Sequence, residues 1–148
     1  MISKLYPVLV HLHSGFRWIL ILALIVTLGI SIYNVLKKNT LSKSGKLFAK
    51  ITMLTAHLQL LAGLVLYLIS PRVVFSAQSM SSPILRFFLV EHITAMLLAI
   101  ALITFGVVRA KRKPATEART LLWTFLVALL LLIAMIPWPW SAVGGSWF

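Results

Sequence analysis

The 148-residue sequence contains no cysteine and only two acidic residues, Glu91 and Glu117. Without cysteine there can be no disulfide, zinc–thiolate centre, iron–sulfur cluster or thiol nucleophile. Two acids in the whole chain exclude catalysis by paired carboxylates. Neither an H-E-x-x-H zinc motif nor a phosphate-binding loop occurs in the sequence. The sequence therefore offers no recognisable set of catalytic residues.

Charge of either sign is also scarce, since charged residues make up only 11% of the chain and hydrophobic residues make up 61%. In a soluble domain about a quarter of the residues are charged. Folded in water, this chain could not keep so much apolar surface off its exterior, and its mean hydropathy of +1.03 excludes a disordered chain. We therefore expect an integral membrane protein that contacts the lipid bilayer.

Four apolar segments are each long enough to cross a bilayer as a helix, which takes about 20 residues. None of them shows the alternation of polar and apolar residues that a transmembrane β-barrel requires. Because the connections between them are short, the sequence predicts an all-α, up-down-up-down bundle of four transmembrane helices. The bundle forms a single domain over residues 1–148, with helices expected at residues 7–36, 48–70, 83–108 and 117–140.

The net charge of +12 is concentrated at two of the three connections. Ten of the fourteen Lys and Arg residues flank the first and third connections, and the positive-inside rule places such segments in the cytoplasm. Both termini then face the outer side, where Trp138, Trp140 and Trp147 form an aromatic belt. Since the basic residues serve orientation, we expect no nucleic-acid partner.

Six ionisable side chains lie within the apolar segments, where each is costly and is a candidate functional residue. They are His11, His13, Arg17, His57, Glu91 and His92. At a rise of about 1.5 Å per residue, His13 and His92 lie at similar depth in the outer half of the membrane, and His57 lies near the midplane. His11 is closer to the interface and points to another face than His13.

Paired histidines in a chain without cysteine favour a haem b held by two imidazoles, because neutral imidazole is a good ligand for iron. His13 and His92 form the best pair, and His57 with His92 remains an alternative. Arg17 shares a helix face with His13 and would pair with the haem propionates, together with Arg86 or Arg72 at the outer rim.

A structural interpretation of the same residues is also open. Arg17 and Glu91 would then form an ion pair between the first and third helices. Each histidine would hydrogen-bond a neighbouring helix, and the protein would be a non-catalytic accessory subunit of a larger membrane complex.

A metal other than haem iron is a third interpretation. His13, His57 and His92 together would offer a three-histidine site suited to copper. Gln59 could hydrogen-bond a quinone headgroup or another helix.

Four sequence runs resemble, in this order, a family of small bacterial four-helix membrane proteins labelled cytochrome b-like. These runs are LHSGFRW (Leu12–Trp18), AHLQLLAGLVLY (Ala56–Tyr67), RFFLVEH (Arg86–His92) and IPWPW (Ile136–Trp140). The resemblance covers nearly the whole chain. It implies a protein of the bacterial inner (cytoplasmic) membrane that binds haem b.

The residues that match the recurring polar positions of that family are His13, Arg17, His57, Glu91 and His92. Four-helix cytochromes with two haems need four ligands in two layers, whereas this chain supplies one well-placed pair and one midplane histidine. We therefore expect a single haem and an electron carrier without substrate chemistry of its own. Its partners would be other membrane redox subunits or a quinone, and an oligomer is compatible with this prediction.

Overall fold

The computed structural model describes residues 2–144, with side chains from Leu5 onward, and this part of the chain is all-helical. Four long helices account for most of it: α1 (Ile2–Lys37), α2 (Lys43–Ile69), α3 (Pro83–Arg112) and α4 (Glu117–Ala134). Each forms or contributes to a segment long and apolar enough to cross a membrane, which confirms the predicted four-helix fold. Trp147, predicted at the outer interface, lies outside the described residues.

The helix ends differ from the expected ones for local chemical reasons. Helix α2 begins at Lys43 and not at residue 48, because the hydroxyl of Ser42 caps it by accepting a hydrogen bond from the Gly45 amide. Helix α3 begins at Pro83 as expected. Helix α4 ends at Ala134 and not at residue 140, because Pro137 cannot continue the helical hydrogen bonds.

The helices form a four-cornered bundle in which sequence neighbours are also neighbours in space. Helix α1 packs against α2 and α4, and α3 packs against the same two helices, so α1 and α3 occupy opposite corners. Tyr6 near the start of α1 is hydrogen-bonded to Ser70 at the end of α2, as antiparallel neighbours require.

Small residues let the helices approach each other closely. Ala56, Ala99 and Ala128 are fully buried, and Gly106 of α3 lies directly against the Thr124 side chain of α4. In a bilayer the lipid tails are as apolar as leucine, so the association of helices depends on such close packing and on polar contacts.

A line of buried hydroxyl groups joins α1 to α2. The hydroxyls of Thr27 and Thr52 lie 3.0 Å apart and are hydrogen-bonded. The Thr52 hydroxyl is also 3.1 Å from the main-chain oxygen of Ala23, and Ser31 donates to the carbonyl of Thr27. The polar groups of this interface are thereby satisfied within the protein, as a lipid environment requires.

Glu117 joins the first and third connections at one end of the bundle. Its carboxylate accepts a 2.7 Å hydrogen bond from the Leu41 amide and forms a 3.2 Å ion pair with Lys46. The side chain is only 3% exposed, and the hydrogen bond and the cation together offset the cost of burying its charge. Both basic connections are thus held on the same side of the bundle.

Gly106 provides a test of the close contact between α3 and α4. A Cβ atom added there would collide with the Thr124 side chain, so Gly106→Ala should destabilise the protein by about 1–3 kcal/mol through overpacking. Thermal unfolding in detergent, followed by circular dichroism, measures this change.

Gly29→Ala is the matched control, because a Cβ at this helical position meets nothing within 4 Å. There the higher helix propensity of alanine should stabilise the protein by up to about 1 kcal/mol. Equal effects of the two substitutions would contradict the close approach at Gly106.

Candidate functional site

A cavity of about 430 Å³ lies in the half of the bundle that contains Tyr6, Ser70 and Pro137. All four helices or their ends contribute to its walls, which are mainly apolar. Its polar lining includes His11, His13, Arg17, Gln59, Arg72 and His92. Four of these six were singled out from the sequence as intramembrane ionisable residues, so the cavity gathers most of that set.

His13 and His92 face each other in this cavity. Their ring centroids are 6.4 Å apart and their ring planes are inclined at 71°. His13 belongs to α1 and His92 to α3, the two helices at opposite corners of the bundle. The rings therefore meet across the interior, at the similar depth expected from the sequence.

The ring of His92 is held by the chain that follows α4. Its Nδ1 lies 2.8 Å from the main-chain oxygen of Met135. Because a carbonyl can only accept, we assign the proton to Nδ1, which donates this bond and leaves a lone pair on Nε2. A histidine that binds a metal is usually oriented in this way, by a hydrogen bond from its other nitrogen to a carbonyl.

The ring of His13 lies against helix α2. A Cβ atom on Gly63 would be 3.1 Å from Cε1 of His13 and 3.7 Å from Nδ1, so only glycine leaves ordinary contact distances there. The amide nitrogen of Gln59 donates a 2.7 Å hydrogen bond to the main-chain oxygen of His13. This contact fixes α2 against α1 at the level of the His13 ring.

Two buried polar atoms at this junction have no hydrogen-bond partner within residues 2–144. They are Nδ1 of His13 and Oε1 of Gln59. A buried polar atom without a partner is costly, and such atoms mark places where a ligand or water belongs. Both residues line the cavity, so the unsatisfied groups and the open space coincide.

A π-helical turn, Phe87–Glu91, immediately precedes His92 in α3. Its wider turns bring residues five apart onto one face, so the Nε of Arg86 donates a 2.6 Å hydrogen bond to Glu91. The partner described for Glu91 is thus Arg86 of its own helix, whereas the sequence predicted Arg17 of the first helix. The register shift of the π turn was not visible in the sequence.

The expected role of Arg86 beside a cofactor is likewise not supported by its position, since Arg86 does not line the cavity. The cations that do line it are Arg17 and Arg72. Arg72 lies over the ring of Phe88, 5.2 Å from its centroid, and donates to the main-chain oxygen of Gly144.

His57 is not brought together with the other two histidines. Its Nδ1 donates to the carbonyl of Met53 at 2.7 Å, its Nε2 lies 3.4 Å from the hydroxyl of Thr104, and it is not part of the cavity lining. From residue 2 to residue 144, no group of three His or acidic residues could hold a metal ion. The three-histidine copper site and the pairing of His57 with His92 are therefore not assembled in this structure.

Two tyrosines of the cavity lining were not identified from the sequence. Tyr6 bonds to Ser70, and the Tyr67 hydroxyl donates to the carbonyl of Leu89 at 2.9 Å, which links α2 to α3. Tyr67 lies four residues after Gly63 and therefore on the same helix face. That spacing is the sequence signal from which Tyr67 could have been predicted.

Comparisons of the chain with protein-family models, with curated proteins and with solved structures find no match. The resemblance to the cytochrome b-like family stays a prediction.

A double-mutant cycle tests the ion pair of Glu91. Combining Arg86→Gln with Glu91→Gln should give a coupling energy of about 0.2–1 kcal/mol, because both side chains are partly exposed. In a matched cycle, Arg17→Gln and Glu91→Gln should add to within about 0.5 kcal/mol. Both cycles are measured by unfolding in detergent. A coupling to Arg17 larger than that to Arg86 would contradict the structure.

Proposed function

We propose that this protein is a small membrane cytochrome that binds one haem b between α1 and α3 and carries electrons. The observation on which this rests is the pair of facing imidazoles, with centroids 6.4 Å apart. A metal–imidazole bond is about 2 Å long and the nitrogen lies about 1.1 Å from its ring centroid, so two imidazoles on one metal ion have centroids at most roughly 6 Å apart. The separation of the His13 and His92 rings is close to this limit, so these two residues would hold one iron together.

The hydrogen bond of the His92 ring supports the same assignment. His92 donates from Nδ1 to Met135 and so keeps Nε2 available as a ligand. Haem held by two histidines supplies one-electron transfer, and the protein sets its potential through the ligands, the burial and the nearby charges.

The walls of the cavity suit the rest of the cofactor. The lining is mostly apolar, as a porphyrin ring requires, and Arg17 and Arg72 are part of it. A guanidinium group pairs well with carboxylates, so these two residues would hold the propionates.

The orientation in the membrane belongs to the same proposal. Glu117 holds the first and third connections at one end of the bundle, and ten of the fourteen Lys and Arg residues lie in or beside these connections. We infer that this end faces the cytoplasm of a bacterial cell and that the cavity lies in the outer half of the inner membrane. A quinol or another membrane redox subunit would supply or accept the electrons.

The direct test is an absorption spectrum of the detergent-purified protein, oxidised in air and then reduced with dithionite. A pyridine haemochrome assay and metal analysis on the same sample give the stoichiometry. We expect a Soret band that shifts on reduction and about one haem b per chain.

A colourless protein with stoichiometric copper would support a metal site instead. A colourless and metal-free protein, when cofactor loss in detergent is excluded, would support the accessory-subunit interpretation.

Substitution of individual histidines identifies the ligands. His13→Ala and His92→Ala should each abolish the native spectrum, because either change removes one axial ligand. His57→Ala is the matched control and should retain the spectrum, since His57 lies outside the cavity lining. Loss of the spectrum in the His57 variant, or its retention in the His92 variant, would refute the assignment.

Gly63 offers a more subtle test of the His13 position. The added methyl group of Gly63→Ala would lie 3.1 Å from Cε1 of His13 and would displace the ring by a few tenths of an ångström. We expect weaker haem retention during purification and an altered reduced spectrum. Gly15→Ala is the control, because a Cβ there meets nothing within 4 Å. Identical behaviour of the two variants would contradict the packing of His13 on Gly63.

A further inference from the structure

The hydroxyl group of Tyr67 is bonded to the π turn that immediately precedes His92. Tyr67 belongs to α2, and its hydroxyl donates a 2.9 Å hydrogen bond to the main-chain oxygen of Leu89. Leu89 is the middle residue of the π turn Phe87–Glu91 in α3. Such turns are rare within α-helices and occur frequently at functional sites. The hydrogen bond from α2 thus supports an unusual part of α3 from outside that helix.

The ring of Tyr67 has a contact that does not involve its hydroxyl. Its centroid is 5.7 Å from that of Phe75, and the two rings meet edge to face at 85°. The side chain also lines the cavity, so its apolar part packs among the other lining residues. Removal of the hydroxyl alone would leave these ring contacts in place and would remove only the hydrogen bond to Leu89.

The π turn also decides which aromatic ring lies against His92. Phe87 is buried, and its ring centroid is 5.7 Å from that of His92, with the planes inclined at 37°. These residues are five apart, whereas the neighbours on a regular α-helix are three or four apart. The His92 amide donates to the carbonyl of Phe87, which is the five-residue spacing of a π-helix. The contact of Phe87 with the imidazole therefore depends on the π turn.

Two contacts consequently orient the imidazole of His92. The carbonyl of Met135 is hydrogen-bonded to its Nδ1, and the ring of Phe87 lies beside it. The first contact fixes one atom of the ring, and the second limits rotation of the ring about that hydrogen bond. The inclination of 71° between the rings of His92 and His13 depends on both.

We propose that Tyr67 is a positioning residue for His92. Its hydroxyl holds the π turn, the turn keeps Phe87 against the imidazole, and Phe87 sets the angle at which His92 faces His13. The inference rests on the proposed haem function, in which His92 is an axial ligand. In a ferric haem with two histidine ligands, the angle between the imidazole planes determines the electron paramagnetic resonance (EPR) signal, so this angle can be measured.

The test compares Tyr67→Phe with the wild-type protein, both purified in detergent with their haem. The variant should still bind haem, because both histidines and the carbonyl of Met135 remain. Its ferric EPR signal should shift and broaden, since the imidazole of His92 is no longer held at one angle. Transfer of haem to an excess of apomyoglobin should become about 10-fold faster, a typical effect of losing a group that orients a metal ligand.

Two control variants remove hydroxyl groups outside the cavity lining. Tyr33→Phe is the same chemical change at an exposed residue of α1. Thr52→Val removes the buried hydroxyl that links α2 to Thr27 of α1, and so controls for a general loosening of the bundle. Both variants should retain the wild-type EPR signal and the wild-type rate of haem transfer. An equal EPR shift in Thr52→Val would overturn a specific role of Tyr67.

Amide hydrogen exchange tests the link between Tyr67 and the π turn without the cofactor. In haem-free protein, the amides of residues 87–92 should exchange about fivefold faster in Tyr67→Phe than in the wild type. This factor corresponds to the loss of a net hydrogen bond of about 1 kcal/mol. Mass spectrometry of peptides that cover these residues measures the change, and Tyr33→Phe should show none. Equal exchange in Tyr67→Phe and the wild type would overturn the proposal.

Phe87→Leu tests the link between the π turn and His92, and it decides the question if Tyr67→Phe does not fold. It keeps the hydrogen bond of Tyr67 and removes the ring beside the imidazole, so it should also shift the EPR signal. An unchanged signal in either variant, with haem bound, would overturn the positioning role and leave the haem function standing. A wild-type protein without haem would reject the haem function, and the positioning role would be rejected with it.

Discussion

Helices α1 and α3 pack against the same two neighbours and meet each other only across the interior, and the candidate site depends on this constraint. Two helices in direct contact along their length would leave no room between their side chains. Held at opposite corners by α2 and α4, they enclose a cavity with one histidine on each side. The contacts that hold the corners in place, from Gly106 on Thr124 to the hydroxyls of Thr27 and Thr52, therefore also fix the distance between the two imidazoles.

The lipid environment explains where the unsatisfied polar groups lie. Six Ser and Thr hydroxyl groups in the described helices donate to a carbonyl one turn earlier, and Glu117 is satisfied by an amide and a cation. Such satisfaction is expected where no water is available. Nδ1 of His13 and Oε1 of Gln59 are exceptions among the described residues, and both border the cavity. These two buried polar atoms, which have no hydrogen-bond partner in the fold, thus border the cavity in which a ligand would lie.

Three features of the chain meet near His92: a π turn, the end of helix α4 and the segment that contains Trp138 and Trp140. The π turn before it changes the register of α3, the carbonyl of Met135 orients its ring, and the same segment continues into Trp138 and Trp140. That carbonyl is available because α4 ends at Ala134, ahead of Pro137, so that the last turn no longer uses it. The end of helix α4 therefore contributes to the orientation of the His92 ring.

The sequence by itself determined the membrane fold, because hydrophobic length and scarcity of charge depend only on composition and order along the chain. It also determined that His13 and His92 lie at one depth, since helical rise is constant. Only the tertiary structure decided which side chains meet. The partner of Glu91 follows from a π turn, the separation of His57 from the cavity follows from the rotation of α2, and the contact of Gly63 with His13 follows from how α1 and α2 pack. Rotation and register are set by packing between helices, which no single segment of sequence encodes.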